Sequence, residues 1–437
     1  MSTFKTILKE LFGSKVVTTD SSDAATFRGF GAVGVDSFVQ KTKGDRVIWA
    51  IVILLTLASL LLVYSSTGSL AYRMQKSNES YLFKQFAFII LGMLIIYFAH
   101  RINYTIYSRL AKIIFLISIP LLLYTLFFGV QLNAGSRWIK LPVFNMTFQT
   151  SDLAKLALFV YLSRTISRKQ QVIKDFKKGF LPIIIPVVII CLLIAPANLS
   201  TAILIAGTSI IIMFIGRVSS KHILGTIAIA MIPVVILIAV AVSYYDKDAG
   251  EAKKLPAILS SGRIPTWISR IQTFVYSKKE DDNEKMYQVN QANIAIARGG
   301  FFGEGPGNSQ ARNYLPHSYS DFIYAIIIEE YGLLGGAAII LIYLLFLLRC
   351  IRIYRKCPYA FGAFLALSLS FMLVIQAITN MAVNVNLFPN TGVTLPLVSM
   401  GGSSFLFTCL SIGIILSVAR NVEQQEGKTV AIPGGVA

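Results

Sequence analysis
Charge is scarce in this chain, and negative charge is scarcer. Asp, Glu, Lys and Arg make up 14% of its 437 residues, where soluble globular chains carry about 25%, and 21 acidic residues stand against 40 basic ones. With 55% hydrophobic residues and a mean hydropathy of +0.67, that shortage excludes a soluble domain and indicates a membrane protein. Cysteine is also rare. Cys191, Cys350, Cys357 and Cys409 show no metal-ligand spacing, and three of them lie in or at the ends of apolar runs, which argues against a disulfide framework or a metal site built from them. No strand or Gly-Lys-Ser/Thr element accompanies the glycine run from Gly299 to Gly307, so it is not a dinucleotide or P-loop site. No internal repeat is strong enough for a transporter with inverted halves. The first 46 residues are mostly polar, so no cleavable signal sequence is expected.

Long apolar runs are what the chain has in abundance. Ten of them, roughly 47–65, 82–100, 107–130, 150–167, 179–196, 199–216, 222–244, 319–348, 361–385 and 403–420, are long enough or nearly so to span about 30 Å of hydrocarbon. Only Ala197-Asn198 separates the fifth from the sixth, which also read as one broken hairpin. Loop charge orders the runs. With the N-terminus inside, Arg101, Arg109 and Lys112 share one cytoplasmic connection, and Arg164, Arg168, Lys169, Lys174, Lys177 and Lys178 share the next. Arg217 and Lys221 follow, then Arg349, Arg352, Arg355 and Lys356, whereas the short opposite loops hold few bases. The expected fold is an all-α polytopic membrane protein with ten transmembrane helices and both termini cytoplasmic. One long extracytoplasmic loop, 245–318, lies between helices 7 and 8. The net charge of +19 then marks cytoplasmic loops, and no nucleic-acid partner is expected.

The chain divides into a cytoplasmic tail (1–46), a membrane domain (47–420) and a cytoplasmic C-terminal tail (421–437). In the first tail, Phe4, Ile7, Leu8, Leu11 and Phe12 share one helical face near Lys5, Lys9 and Lys15. That pattern suits a short helix on anionic membrane lipids, and equally a loosely ordered tail. In the long loop, Trp267, Ile268, Ile271, Phe274 and Val275 recur at helical spacing with Arg263 and Arg270. This predicts a helix on the outer membrane surface, its arginines toward lipid headgroups or substrate.

Ionisable groups within apolar runs cost roughly 2.5–3.5 kcal/mol each at the bilayer centre, and those that persist face a partner or a wet cavity. The stretch 281–335 gathers several: Asp281 and Asp282, the glycine run, then an apolar helix that opens on Asp321 and carries Glu329 and Glu330. The paired aspartates suit a general base beside a substrate hydroxyl, although the residue types by themselves favour a solvated acidic turn within KKEDDNEK. Glu329 and Glu330 read better as helix–helix glue than as catalytic groups. At the fourth run, Ser151 is placed to cap the helix, Asp152 suits its positive end, and Lys155 lies three residues deeper on the same face. Lys155 either pairs with Asp152 or holds a pyrophosphate. In Asn133–Lys140, Arg137 offers a phosphate ligand, while Trp138 reads first as an interface anchor. The uncharged segment from Pro389 to Ser404 is a re-entrant turn or an anion-holding helix start.

Read together, these motifs resemble one family. GSRWI at 135–139, QTSDLAKLALFVYL at 149–162, NLSTA at 198–202, GEGPGNSQARNYLPHSYSDFIYAIIIEEYGLLG at 303–335 and NTGVTLPLVSMGGSS at 390–404 are similar to the SEDS proteins (shape, elongation, division and sporulation) in the family's own order. The N-terminal extension and the TLPLVSMGGSS wording are more similar to its FtsW branch than to RodA. The resemblance implies a ten-span peptidoglycan glycosyltransferase of the bacterial cytoplasmic (inner) membrane. It would polymerise lipid II into a glycan strand on the outer face, for septal synthesis in cell division. A class B penicillin-binding protein, other division proteins and membrane lipids would be its partners.

The resemblance places the essential loop carboxylate at Asp281, six residues before Tyr287-Gln288. Asp282 is the alternate, because the usual Asp-Pro-x-Gly context is missing. Lys155 matches the family's intramembrane lysine. Asp152 stands for the Glu of a Gln-Pro-Ser-Glu motif, Asn198 for an Asp, and Tyr319-Ser320-Asp321-Phe322 for His-Thr-Asp-Phe. The expected substrate-binding residues are Lys155, Arg137, Asp152, Gln149, Arg270, Asp321 and Ser403. In the implied inverting transfer, Asp281 accepts the proton of the acceptor's GlcNAc 4-hydroxyl as that oxygen attacks the anomeric carbon of the lipid-linked donor. The leaving lipid pyrophosphate needs cationic charge more than an acid, from Lys155 and Arg137 with Arg270. A divalent cation, Mg2+ or Mn2+, can share that role, though the sequence shows no metal constellation. Two rivals remain. A lipid II flippase would use Asp152, Lys155, Asp321, Glu329 and Glu330 as a path, against which the polar clusters gather at one face. A non-catalytic divisome scaffold would need no carboxylate base.

Overall fold
Hydrocarbon offers a backbone no hydrogen-bond partner, so a chain of long apolar runs closes its own bonds as helices. The computed structural model describes residues 44–68, 75, 77–132, 135–141, 146–246, 251–252, 256, 264–276, 284–315, 318–389 and 391–430. The expected surface helix near the N-terminus and both Asp281 and Asp282 lie outside the described residues. The helices are α1 (Arg46–Ser66), α2 (Asn78–Arg101), α3 (Tyr104–Phe128), α4 (Thr150–Arg168), α5 (Leu181–Ile194) and α6 (Leu199–Ile215). They continue as α7 (Ser220–Ser243), α8 (Ile264–Tyr276), α9 (Glu284–Gly299), α10 (Ile323–Lys356), α11 (Ala360–Asn384) and α12 (Ser403–Val430).

Every expected span coincides with a helix. Among the described residues, eight are long and apolar enough to cross a membrane: α1, α2, α3, α5 with the turn before it (Phe176–Ile194), α7, α10, α11 and the Ser403–Gln425 part of α12. The chain is thus a multi-pass membrane protein. Of the other two expected spans, α6 is apolar but has 17 residues, and α4 carries Asp152, Lys155 and Arg164 within its 19. Helices α5 and α6 are separate. The Ala197 and Asn198 N–H groups both donate to the Ile194 carbonyl, at 3.0 and 2.7 Å, and the Asn198 side chain caps α6.

Two features correct the sequence reading. The spans are helical as expected, but the connection after α3 is a three-stranded antiparallel sheet, β1 (Val130–Leu132), β2 (Gly135–Leu141) and β3 (Met146–Gln149), with Trp138 opposite Gln149 and Lys140 opposite Thr147. A two-residue pair, β4 (Tyr245–Asp246) with β5 (Glu251–Ala252), follows α7. Strands this short show no sustained alternation, so hydrophobic periodicity does not reveal them. Ser151 does not cap α4 either. The cap position falls two residues earlier, on Gln149, so that the helix starts at Thr150, and the Ser151 hydroxyl instead accepts the Gln149 Nε2 donor at 2.9 Å.

The two ends of the helix bundle are closed differently. At the end away from the three-stranded sheet, Asp45 caps α1 by accepting the Val47 N–H at 2.9 Å and pairs with Arg349 of α10 at 2.7 Å. The Gly44 N–H donates to Glu423 of α12 at 2.7 Å. In the connection from α4 to α5, the Lys178 N–H donates to the Asp175 carboxylate at 2.8 Å, and this bond holds the exposed acid below its ordinary range. Near the sheet end, α10 is broken. Gly332 adopts φ 69° and ψ −174°, which ends the regular ladder within an apolar helix.

The glycine run that follows α9 repairs that break. Glu304 and Gly305 N–H groups donate to the Glu329 and Glu330 carbonyls at 2.9 and 3.0 Å, while Leu333 and Leu334 N–H groups donate to the Gly300 and Phe301 carbonyls at 3.0 and 3.4 Å. Four backbone groups freed by the kink are thereby satisfied. The approach is too close for side chains: a Cβ on Gly299 would sit 2.0 Å from the Ile328 carbonyl oxygen, and one on Gly303 (φ +86°) 2.3 Å from that of Glu330. Gly303→Ala therefore combines left-handed strain with a clash and should cost roughly 2–5 kcal/mol of stability. Gly307→Ala, at φ +80° but with open space around it, should cost about 1–2 kcal/mol. Thermal unfolding of the two purified variants against wild type checks this order.

Candidate functional site
The first turn of α4 carries a buried charge pair. Lys155 Nζ lies 2.8 Å from Asp152 Oδ1, both side chains being at least nine-tenths buried. The ammonium also donates to Gln376 Oε1 of α11 at 3.2 Å, and Gln376 Nε2 donates to the Thr394 carbonyl at 3.0 Å. Asp152 Oδ2 is buried without a hydrogen-bond partner among the described residues. A cation and an anion held this far from water need each other: removing one partner of such a pair typically costs about 3–5 kcal/mol.

A segment of irregular backbone, 391–402, is joined to this pair through Gln376 and is itself held on several sides. Asn380 Nδ2 of α11 donates to the Val393 and Asp321 carbonyls at 2.7 and 3.0 Å, and Asn384 Nδ2 donates to the Asp321 carbonyl at 2.9 Å. The Ser399 hydroxyl donates to the Ser320 carbonyl at 2.6 Å and accepts the Leu395 N–H at 2.8 Å. The Met400 N–H reaches the Tyr319 carbonyl at 3.0 Å, Tyr343 of α10 donates to the Pro396 carbonyl, and Ser59 of α1 to that of Val398 at 2.8 Å. At the far end of the segment the Ser403 hydroxyl accepts the Gln149 N–H at 3.2 Å. Segments 318–322 and 391–402 thus form one polar layer at the sheet end, with Asp321 half-buried beside Gly392.

A small open cleft adjoins the same turn of α4. Leu122, Leu126, Leu193 and Ile194 form an apolar wall, and Thr125, Thr150, Ser151 and Asn198 a polar one. Among the described residues, no three His, Cys, Asp or Glu side chains gather as a metal cage.

The chain as a whole has known relatives. The FtsW/RodA/SpoVE family, described as cell cycle proteins, matches residues 45–424. The chain belongs to that family. A "Probable peptidoglycan glycosyltransferase FtsW" of Trichlorobacter lovleyi is 31% identical over 383 residues, covering 87% of this chain and 94% of the relative. "Stage V sporulation protein E" of Bacillus subtilis is 30% identical over 389 residues, with 87% and 98% covered. Among solved structures, a chain from "Structural coordination of polymerization and crosslinking by a peptidoglycan synthase complex" superposes with a TM-score of 0.65 at 22% identity, covering 87% of this chain and 99% of that one. The rod shape determining protein RodA of Thermus thermophilus gives a TM-score of 0.58 at 20% identity, with 86% and 97% covered. These two likenesses show the fold.

Within this FtsW/RodA/SpoVE fold, the residues singled out in the sequence separate into groups. Asp152 and Lys155 form the buried pair, the Gln149 N–H donates to Ser403 just past the 391–402 segment, and Asp321 lies against Gly392 within it. Arg137 lies on β2, and its side chain is outside the described residues. Arg270 lies on α8, which is fastened to α7 by Gln272 Nε2 donating to the Ala241 carbonyl at 2.9 Å. Glu329 accepts from the Ser309 hydroxyl and from the Gln310 and Ala311 N–H groups, at 3.1 and 3.3 Å for the latter two. Glu330 accepts from Ser65 of α1, whose carbonyl receives Arg312 Nη1 at 3.0 Å. Both glutamates therefore join α10 to neighbouring chain segments.

Gln376, Asn380 and Asn384 were missed in the sequence, yet their spacing of four residues sets three carboxamides on one face of an otherwise apolar helix. That period was the available signal. Lys155→Ala should lower stability by about 3–5 kcal/mol, because it leaves the Asp152 carboxylate buried without its cation. The paired change Lys155→Met with Asp152→Asn should recover part of the loss. Thermal unfolding in one detergent compares the three proteins.

Proposed function
We propose that this chain is a peptidoglycan glycosyltransferase that polymerises lipid II at the outer face of the bacterial cytoplasmic membrane, in septal synthesis. The observation that carries the reading is the buried Lys155 ammonium, held by Asp152 and Gln376 at the sheet end beside a cleft with one apolar and one polar wall. A lipid-linked pyrophosphate has the matching chemistry: a hydrocarbon tail and a doubly charged head. The relatives named as FtsW glycosyltransferases support the same activity. In this reading α4 and α6 complete ten spans, both termini are cytoplasmic, and the sheet, α8 and α9 lie outside. A class B penicillin-binding protein is the expected partner, in keeping with the synthase complex that one structural neighbour comes from.

In the transfer, the acceptor's 4-hydroxyl oxygen forms a bond to the donor's anomeric carbon with inversion. The bond from that carbon to the pyrophosphate oxygen breaks, and the electron pair leaves with the lipid pyrophosphate. Asp281, or Asp282 beside it, takes the hydroxyl proton. Lys155 offsets the negative charge developing on the pyrophosphate, with Arg137 and Arg270 as further cations; a fixed cation in a dry site is worth more than the same charge in water. A divalent cation can share that role. The flippase reading has less support, since Glu329 and Glu330 are each engaged in hydrogen bonds between segments rather than lining an open path.

Labelled lipid II incubated with the purified protein, with and without a class B partner, tests the assignment on a gel. Wild type should form polymer, and loss of the base should slow it by about 10²–10⁴-fold in Asp281→Ala or in Asp282→Ala. Full activity in both variants would remove the base assignment. No polymer from wild type, together with lipid movement in vesicles, would favour the flippase.

A further inference from the structure
We propose that Gln376 is a positioning residue for this transfer: its carboxamide holds the Lys155 ammonium so that its remaining hydrogen meets the oxygens of a pyrophosphate. The inference rests on the reading above. An ammonium has three donors, and two are committed here, to Asp152 Oδ1 at 2.8 Å and Gln376 Oε1 at 3.2 Å. The two acceptors stand on different helices, α4 and α11, so together they fix where the third donor points. Gln376 is 4% exposed and used at both ends, because its Nε2 donates to the Thr394 carbonyl at 3.0 Å. Its orientation is dictated by its neighbours. A flipped amide would set an N–H group against the ammonium and an oxygen against a carbonyl.

The neutrality of the second acceptor matters as much as its place. Asp152 and Lys155 are the charged groups in the hydrogen bonds and ion pair around Gln376, and their charges sum to zero. A glutamate at 376 would keep the shape and the acceptor, yet would turn the group net negative and repel a pyrophosphate. Gln376 also ties the cation to the 391–402 segment, since Asn380, one turn along α11, holds the neighbouring Val393 carbonyl at 2.7 Å. The amide therefore sets the ammonium and that segment in one register.

The test is a binding cycle on the full-length protein in detergent, with a polyprenyl pyrophosphate as probe and the corresponding alcohol as control for the hydrocarbon chain. Gln376→Leu and Lys155→Gln should each weaken binding about tenfold, the loss expected for a hydrogen bond to a charged group. The double variant should be no more than about twofold weaker than Lys155→Gln, since Gln376 acts through the lysine. Gln376→Glu, which preserves shape, should also weaken binding, whereas a merely space-filling role would leave it intact. Wild-type affinity in both Gln376 variants, losses that multiply in the double variant, or absence of pyrophosphate-dependent binding by wild type would overturn the proposal. Lipid II polymerisation by the same preparation separates the two levels. An inactive wild type counts against the glycosyltransferase reading, and an active one with unaffected Gln376 variants counts against the role of Gln376 alone.

Discussion
A helix that breaks inside an apolar bundle exposes backbone groups that lipid cannot satisfy, and the architecture around α10 follows from closing that break. Gly332 frees two carbonyls and two N–H groups, and the glycine run after α9 supplies a partner for each. Only a chain without side chains at Gly299 and Gly303 comes near enough. The same contact therefore determines where α9 ends and how it meets α10. Glu329 and Glu330 flank the kink and extend the connection to the 309–311 turn and to α1.

The second constraint is electrostatic. Lys155 is buried where a lone cation would be costly, and its two acceptors come from two helices. One of these, Gln376, passes the connection to a segment whose irregular backbone is in turn held by Asn380, by Ser399 and by the Tyr319 carbonyl. Such a buried polar network is rigid and specifies one arrangement. Among the described residues, Asp152 Oδ2 and Thr391 Oγ1 lack a hydrogen-bond partner within it.

Chemistry and anchoring are thus segregated by end. Carboxamides, hydroxyls and the buried ion pair collect where the sheet, α9 and the 391–402 segment lie. The opposite end is tied by Asp45 to Arg349 and by Gly44 to Glu423. Between them, α7 shows almost its whole surface, with Leu224, Ile229, Ile232 and Ile236 more than half exposed, a face suited to lipid hydrocarbon.

The ten helical segments were legible in the sequence because length and hydropathy are local properties, read one run at a time. The polar positions Asp152, Lys155 and Asp321 stood out for the same reason: an ionisable group in or beside an apolar run is conspicuous wherever it sits. The sheet after α3 was not legible, since its strands are too short for a period. Gln376 gave no charge to notice, and its importance lies in touching Lys155 at a separation of 221 residues. The glycine run declared that something passes close by, but not that it was the broken backbone of α10. Sequence by itself determined which segments form apolar helices and which residues are out of place there. Tertiary structure alone decided what those residues face, because pairing of buried charge and closure of freed backbone groups depend on neighbours that lie far apart in the chain.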